Sequence, residues 1–151
     1  MADLISLPHY QQSDEGYCLS ACARMMLAYL GMDMAEAEVS RVLGAQEFGA
    51  PSFAVQRLTA LKLRVTYREW SVAQLLEALE TQTPVLVFVR TAFLDHWTKD
   101  VAHAVVIVGA EENRQFWIHD PAWPTSPLAV LWDGLLAAWA EFSYRGAMIT
   151  Q

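Results

Sequence analysis

The chain has 151 residues, the usual size of one domain, and its 54% hydrophobic and 18% charged residues supply a substantial core and exclude a disordered polymer. Ten Lys and Arg against seventeen Asp and Glu leave a formal net charge of −7. That charge repels phosphate backbones and anionic lipid, so neither nucleic acid nor a membrane surface is an expected partner.

In chain order, the stretch from Met1 to Tyr10 carries an acid early and lacks the basic and long apolar regions of a secretory signal. A polar, extended start through Gly16 gives way to a helix over 18–30. There Ala21, Met25 and Ala28, with Cys22, Met26 and Tyr29, recur at helical spacing, and Gly31 provides a stop. Asp33 is the expected cap of a second helix over 35–43, ended by Gly44. Ser52 is the expected cap of a third over 53–61, with Phe53, Leu58 and Leu61 as its core stripe.

Residues 63–67 alternate like a short strand, and Ser71 caps a helix to about Glu80 that places Val72, Leu75, Leu76 and Leu79 on one side. Strands follow at 85–89, 104–108 and 115–119, the last two joined by a polar turn from Glu111 to Arg114 and therefore antiparallel neighbours. A helix over 129–142 and a strand over 144–149 complete an α+β pattern of helices packed on an antiparallel sheet. No repeat or linker divides the chain, so one domain over 1–151 is expected. The longest apolar run, 102–110, is interrupted by His103 and Gly109 and falls far short of the ~20 residues of a membrane helix.

The chemistry-bearing residues are few. Cys18 falls where an extended segment becomes a helix, so its sulfur meets unpaired N–H groups and the positive end of the helix dipole, which favour a nucleophilic thiolate. His103 opens one apolar strand and Asp120 follows the next, so pairing through the turn at 111–114 brings the two to one sheet edge, where Asp120 can orient His103. A cysteine, histidine and acid in this order form a papain-like set. Each residue alone also has a plain structural explanation: a buried small hydrophobe, a strand-end histidine and an Asp-Pro turn.

Taken together, Gln12, Cys18, Ala21-Cys22, Met25-Met26, Tyr29, Gly31, His103-Ala-Val-Val-Ile-Val-Gly109 and Asp120-Pro121 resemble the C39-type cysteine peptidases. This is the papain-like group that includes bacterial leader-processing domains fused to ABC transporters, and stand-alone C39-like proteins. The resemblance spans nearly the whole chain. It implies Cys18 as nucleophile, His103 as general base and then acid, Asp120 as the residue orienting His103, and Gln12 as an oxyanion donor, with Gln11 its adjacent competitor. Leu19 follows Cys18 where the family has Gly.

The implied activity is hydrolysis of a peptide or leader-peptide amide through a thioester. A transpeptidase or amidohydrolase with the same triad, or a catalytically silent peptide-binding domain, is the alternative. The implied partners are a precursor peptide and a separate ABC transporter. Cys18 and Cys22 build no disulfide framework, which points to a reducing, cytoplasmic compartment. Cys22 reads as packing; His96, His103 and His119 with Asp95 and Asp100 lack a compact zinc signature; and no cofactor is implied. Of the tryptophans, Trp123 is near enough to Asp120 to flank a cleft.

Overall fold

A computed structural model describes residues 3–151. Met1 and Ala2, the first two positions of the stretch read for a targeting signal, lie outside the described residues. Helix α1 (Cys18–Tyr29) is buried on nearly every side, as its almost wholly apolar sequence demands. It lies against a six-stranded antiparallel sheet. Among the described residues, no helix is long and apolar enough to cross a membrane.

Helix α2 (Glu36–Leu43) is capped at Ala35 rather than Asp33, because the Glu38 carboxylate reaches back to accept the Ala35 N–H at 3.0 Å. It joins α1 through a buried hydroxyl pair in which Ser40 donates to Ser20 at 2.8 Å. The third helix, Ser52–Leu61, is a 3-10 helix, and Ser52 does not cap it: its hydroxyl bonds the Tyr67 hydroxyl at 2.6 Å. Three residues per turn align Val55 with Leu58 and Leu61. Ala54, Val55 and Leu58 are therefore buried, whereas Phe53, expected in the core, is 54% exposed.

The remaining elements are two 3-10 turns, Glu15–Tyr17, in place of the expected extended segment, and Thr91–Phe93, with β1 (Arg64–Glu69), α3 (Val72–Glu80), β2 (Val85–Arg90), β3 (Ala102–Glu111), β4 (Gln115–His119), β5 (Leu128–Leu131), α4 (Trp132–Ala140) and β6 (Arg145–Thr150). Ser71 caps α3 in a reciprocal pair with Gln74, as the sequence predicts. The helix expected over 129–142 is divided instead. Its first residues pair with β4 as a strand, Gln115 opposite Leu131 and Ile118 opposite Leu128, and α4 starts only at Trp132. A short apolar run fits either period, and the open edge of β4 decides for the strand.

The sheet order is β1-β6-β2-β3-β4-β5, and β2 and β3 form its buried middle. The β3–β4 hairpin contains a bulge: Ile107 faces Ile118 and Gly109 faces Trp117, leaving Val108 without a cross-strand partner. The freed Val108 carbonyl accepts the Ile5 N–H at 2.9 Å, tying the N-terminal segment to the sheet.

Gly146 of β6 sits where strands cross closely. A Cβ there would lie 2.8 Å from the Leu86 carbonyl oxygen and 3.3 Å from Trp70 and Val87 side-chain atoms. Because backbone is the nearest obstacle, Gly146→Ala should lower stability by about 1–3 kcal/mol, read as a lower urea midpoint at unchanged m-value.

Candidate active site

Four N–H donors converge on one carboxylate. Asp120, immediately after β4, is fully buried. Its Oδ1 accepts from His103 Nε2 at 2.7 Å and from the Ala122 N–H at 2.9 Å; its Oδ2 accepts from His96 Nε2 at 2.7 Å and Trp97 Nε1 at 2.8 Å. The bulge makes the His103 bond possible. Val106 faces His119, so one step outward places Asp120 opposite Val105, on the face that also carries His103. An unbulged ladder would have set Asp120 opposite Val106, on the other face.

Helix α1 brings the thiol. One turn into it, the buried Cys22 Sγ donates to the Ala104 carbonyl at 3.4 Å, which lays the start of the helix across the start of β3. Cys18, the first helical residue, is partly exposed and shares a cavity wall with His103. With Nε2 committed to Asp120, Nδ1 is the ring nitrogen left for the thiol. The Cys18 thiol is among the groups that raise the His103 pKa.

Burial alone would lower the His103 pKa, but the hydrogen bond to Asp120, the contact with Cys18 and the charges of both raise it from 6.5 to about 9. Burial alone would raise the Asp120 pKa. Hydrogen bonds from His103 and His96, the His103 charge and the Trp97 N–H override it and hold this carboxyl well below the usual range. Cys22 is the opposite case, since burial pushes its thiol well above the ordinary value and Cys18 and Asp120 add to the effect.

Gln12 reaches the same place from the N-terminal segment. Its backbone N–H donates to the Pro121 carbonyl at 2.7 Å, and its side chain lines a cavity with Gly16, Trp97 and His103. One amide hydrogen of its Nε2 donates to the Asp14 carbonyl at 2.9 Å, leaving the second for another acceptor, and its Oε1 is buried without a partner. Gln11 points elsewhere, with Nε2 at 3.4 Å from the Ala122 carbonyl.

His96, considered from the sequence only as a metal ligand, and Trp97 are direct partners of Asp120. Nothing in their spacing signals this, because they sit in the loop between β2 and β3. Trp97 also covers His103 edge-on, with ring centroids 4.9 Å apart. Trp123 packs on His96 and Trp97 at 4.6 and 5.3 Å, so it backs the acid rather than flanking the cleft. His119 turns to His9, their Nδ1 atoms 3.2 Å apart, and burial together with the His9 charge lowers its pKa to about 4. Among the described residues, no group of three or more His, Cys, Asp or Glu side chains is arranged to hold a metal ion.

The model of the Peptidase_C39 like family matches residues 4–146. The chain belongs to this family of papain-like cysteine peptidases.

Solved structures agree in fold. A protein from Bacillus anthracis described as a C39-like peptidase superimposes with a TM-score of 0.83 at 15% identity, covering 100% of this chain and 98% of that one. The peptidase domain of Streptococcus ComA, a bifunctional ABC transporter involved in quorum sensing, gives 0.76 at 16%, covering 97% and 98%. A double-glycine-motif protease from an AMS/PCAT transporter, solved with its leader peptide, gives 0.73 at 16%, covering 97% and 93%. At these identities the likeness is one of fold. No curated protein is similar enough to the sequence to match it.

The C39-like site has a definite pH signature. The His103 pKa is raised in the folded state, so its stabilising contribution is complete below pH 6.5 and is lost as pH rises toward about 9. The depressed carboxyl of Asp120 contributes above the usual carboxylate pKa, and that contribution disappears only in strong acid. Urea unfolding should therefore show a fall on the order of 3 kcal/mol between pH 6 and 9.5 in the wild type. His103→Gln should flatten that fall.

Proposed function

We propose that this chain is a single C39-like peptidase domain that hydrolyses an amide bond of a precursor peptide through a thioester on Cys18. The observation that carries this reading is the His103 imidazole, fixed at Nε2 by a fully buried carboxylate with Nδ1 left for a thiol at the start of a helix. A histidine raised to about 9 is protonated at neutral pH and can pair with a thiolate.

In this mechanism the Cys18 sulfur attacks the scissile carbonyl carbon, and the carbonyl π electrons move onto its oxygen. That oxyanion takes hydrogen bonds from the Cys18 N–H and the free Nε2–H of Gln12. Collapse of the tetrahedral intermediate breaks the C–N bond, and the Nδ1 proton of His103 goes to the departing amine. Water then attacks the thioester; His103 takes its proton, the carboxylic acid leaves, and the thiolate–imidazolium pair is restored. Throughout, Asp120 stays ionised and holds the ring.

A leader-bearing peptide, presented by a partner ABC transporter, is the substrate and partner we assign, because two structural neighbours are transporter peptidase domains. Both cysteines are free, as a thiol nucleophile in a reducing compartment requires, and we place the protein in the cytoplasm.

At neutral pH iodoacetamide should label Cys18 well before Cys22, which is buried, bonded to Ala104 and held as a thiol. Peptide mass spectrometry of partly labelled protein reads the order, and preferential labelling of Cys22 overturns the choice of nucleophile. With a fluorogenic peptide amide that the protein cleaves, Cys18→Ala should abolish turnover. Gln12→Ala should lower kcat by ~10²–10³ with little effect on KM, and Gln11→Ala should do little. Full turnover in the Gln12 variant removes it from the oxyanion hole.

A further inference from the structure

Two cavities meet at His103. One, of about 400 Å³, contains Cys18 and is walled mainly by Leu19, Phe48, Ala50, Pro51, Phe88 and Phe142. The other, of about 250 Å³, lies on the Gln12 side and holds Lys99, Glu15 and Glu47. Phe48 borders both, and it is 86% exposed although aromatic.

The backbone under Phe48 is fixed while its ring is free. Residues 46–49 form a tight turn closed by two hydrogen bonds, Gln46 N–H to Gly49 O at 3.1 Å and Gly49 N–H to Gln46 O at 2.9 Å. The turn rests on Gly16, where a Cβ would lie 2.0 Å from the Glu47 carbonyl oxygen. Gly16 is two residues before Cys18, so the turn and the thiol are in fixed register. Glu15, the charged side chain at the rim of the larger cavity, is already paired with Lys99 at 3.0 Å. That cavity therefore offers a guest no unpaired charge, and it offers a large apolar surface.

We propose that the cavity beside Cys18 seats a bulky apolar side chain, of the Leu, Met or Phe kind, next to the scissile bond of the substrate. Phe48 closes over it and is the residue that sets this preference. The inference rests on Cys18 being the nucleophile. A glycine at this position leaves the cavity unfilled and the Phe48 ring in water, whereas a leucine side chain buries itself and part of that ring. Pocket discrimination of this kind is worth roughly 10–200-fold in rate.

The test uses three acetylated dipeptide chloromethyl ketones, Leu-Gly, Gly-Leu and Gly-Gly, with iodoacetamide as a reagent blind to side chain. Rates of Cys18 alkylation are read by mass spectrometry on the full chain. One leucine reagent should react at least about tenfold faster than Gly-Gly. In Phe48→Ala, whose parent side chain is exposed and so is not needed for folding, the leucine-to-glycine ratio should drop at least about fivefold. Equal rates for all three reagents, or a preference for Gly-Gly, overturn the proposed subsite. A leucine preference that survives Phe48→Ala overturns the role of Phe48. Failure of Cys18 to react even with iodoacetamide overturns the nucleophile assignment instead, leaving the two readings distinguishable.

Discussion

The buried carboxylate of Asp120 is the constraint on which the rest of the site depends. An ionised carboxylate without solvent costs several kcal/mol unless its lone pairs are filled, and here four N–H donors fill them: two imidazoles, one indole and one backbone amide. Those donors come from β3, from the loop ahead of it and from the turn that follows Asp120. Gln12 adds the N-terminal segment through its bond to Pro121. The charge thus fixes segments up to 24 residues apart in sequence, and the neighbouring Pro121 carbonyl ties in the N-terminal segment.

The loop that supplies His96 and Trp97 is itself anchored by a buried threonine. The Thr91 N–H donates to the Val101 carbonyl at 3.0 Å, and its hydroxyl accepts the Val101 N–H at 2.8 Å and donates to the Lys99 carbonyl. The span from 91 to 101 is therefore a closed loop with a fixed base, and its histidine and tryptophan reach Asp120 as a preorganised pair. Preorganisation matters because donors already in place cost no rearrangement when charge develops on the reacting atoms.

The two cysteines show how one helix gives similar residues different chemistry. Cys22 sits one turn deeper, against the Ala104 carbonyl, and burial keeps it protonated. Cys18 stands at the mouth, where a cavity, an imidazole and the junction between the 3-10 turn Glu15–Tyr17 and α1 meet. A single helical turn, about 5.4 Å of rise, separates a packing residue from the proposed nucleophile.

Much of the fold was legible in local pattern. The buried helix over 18–30, the Ser71 cap and the hairpin turn at 111–114 each rest on interactions among near neighbours, which short sequence windows contain. The order of Gln12, Cys18, His103 and Asp120, together with the apolar strand between the last two, was enough to suggest the C39 family that the family match then established. Tertiary context decided the rest. The open edge of β4 turned residues 128–131 into a strand, and the 3-10 geometry of 52–61 rotated Phe53 out of the core. The extra residue at Val108 moved Asp120 onto the face of His103, because side chains alternate along a strand and one bulge reverses their sense. His96 and Trp97 became partners of the acid for the same kind of reason: a loop's end point is set by what anchors it and what it buries, and neither is written in its own residues.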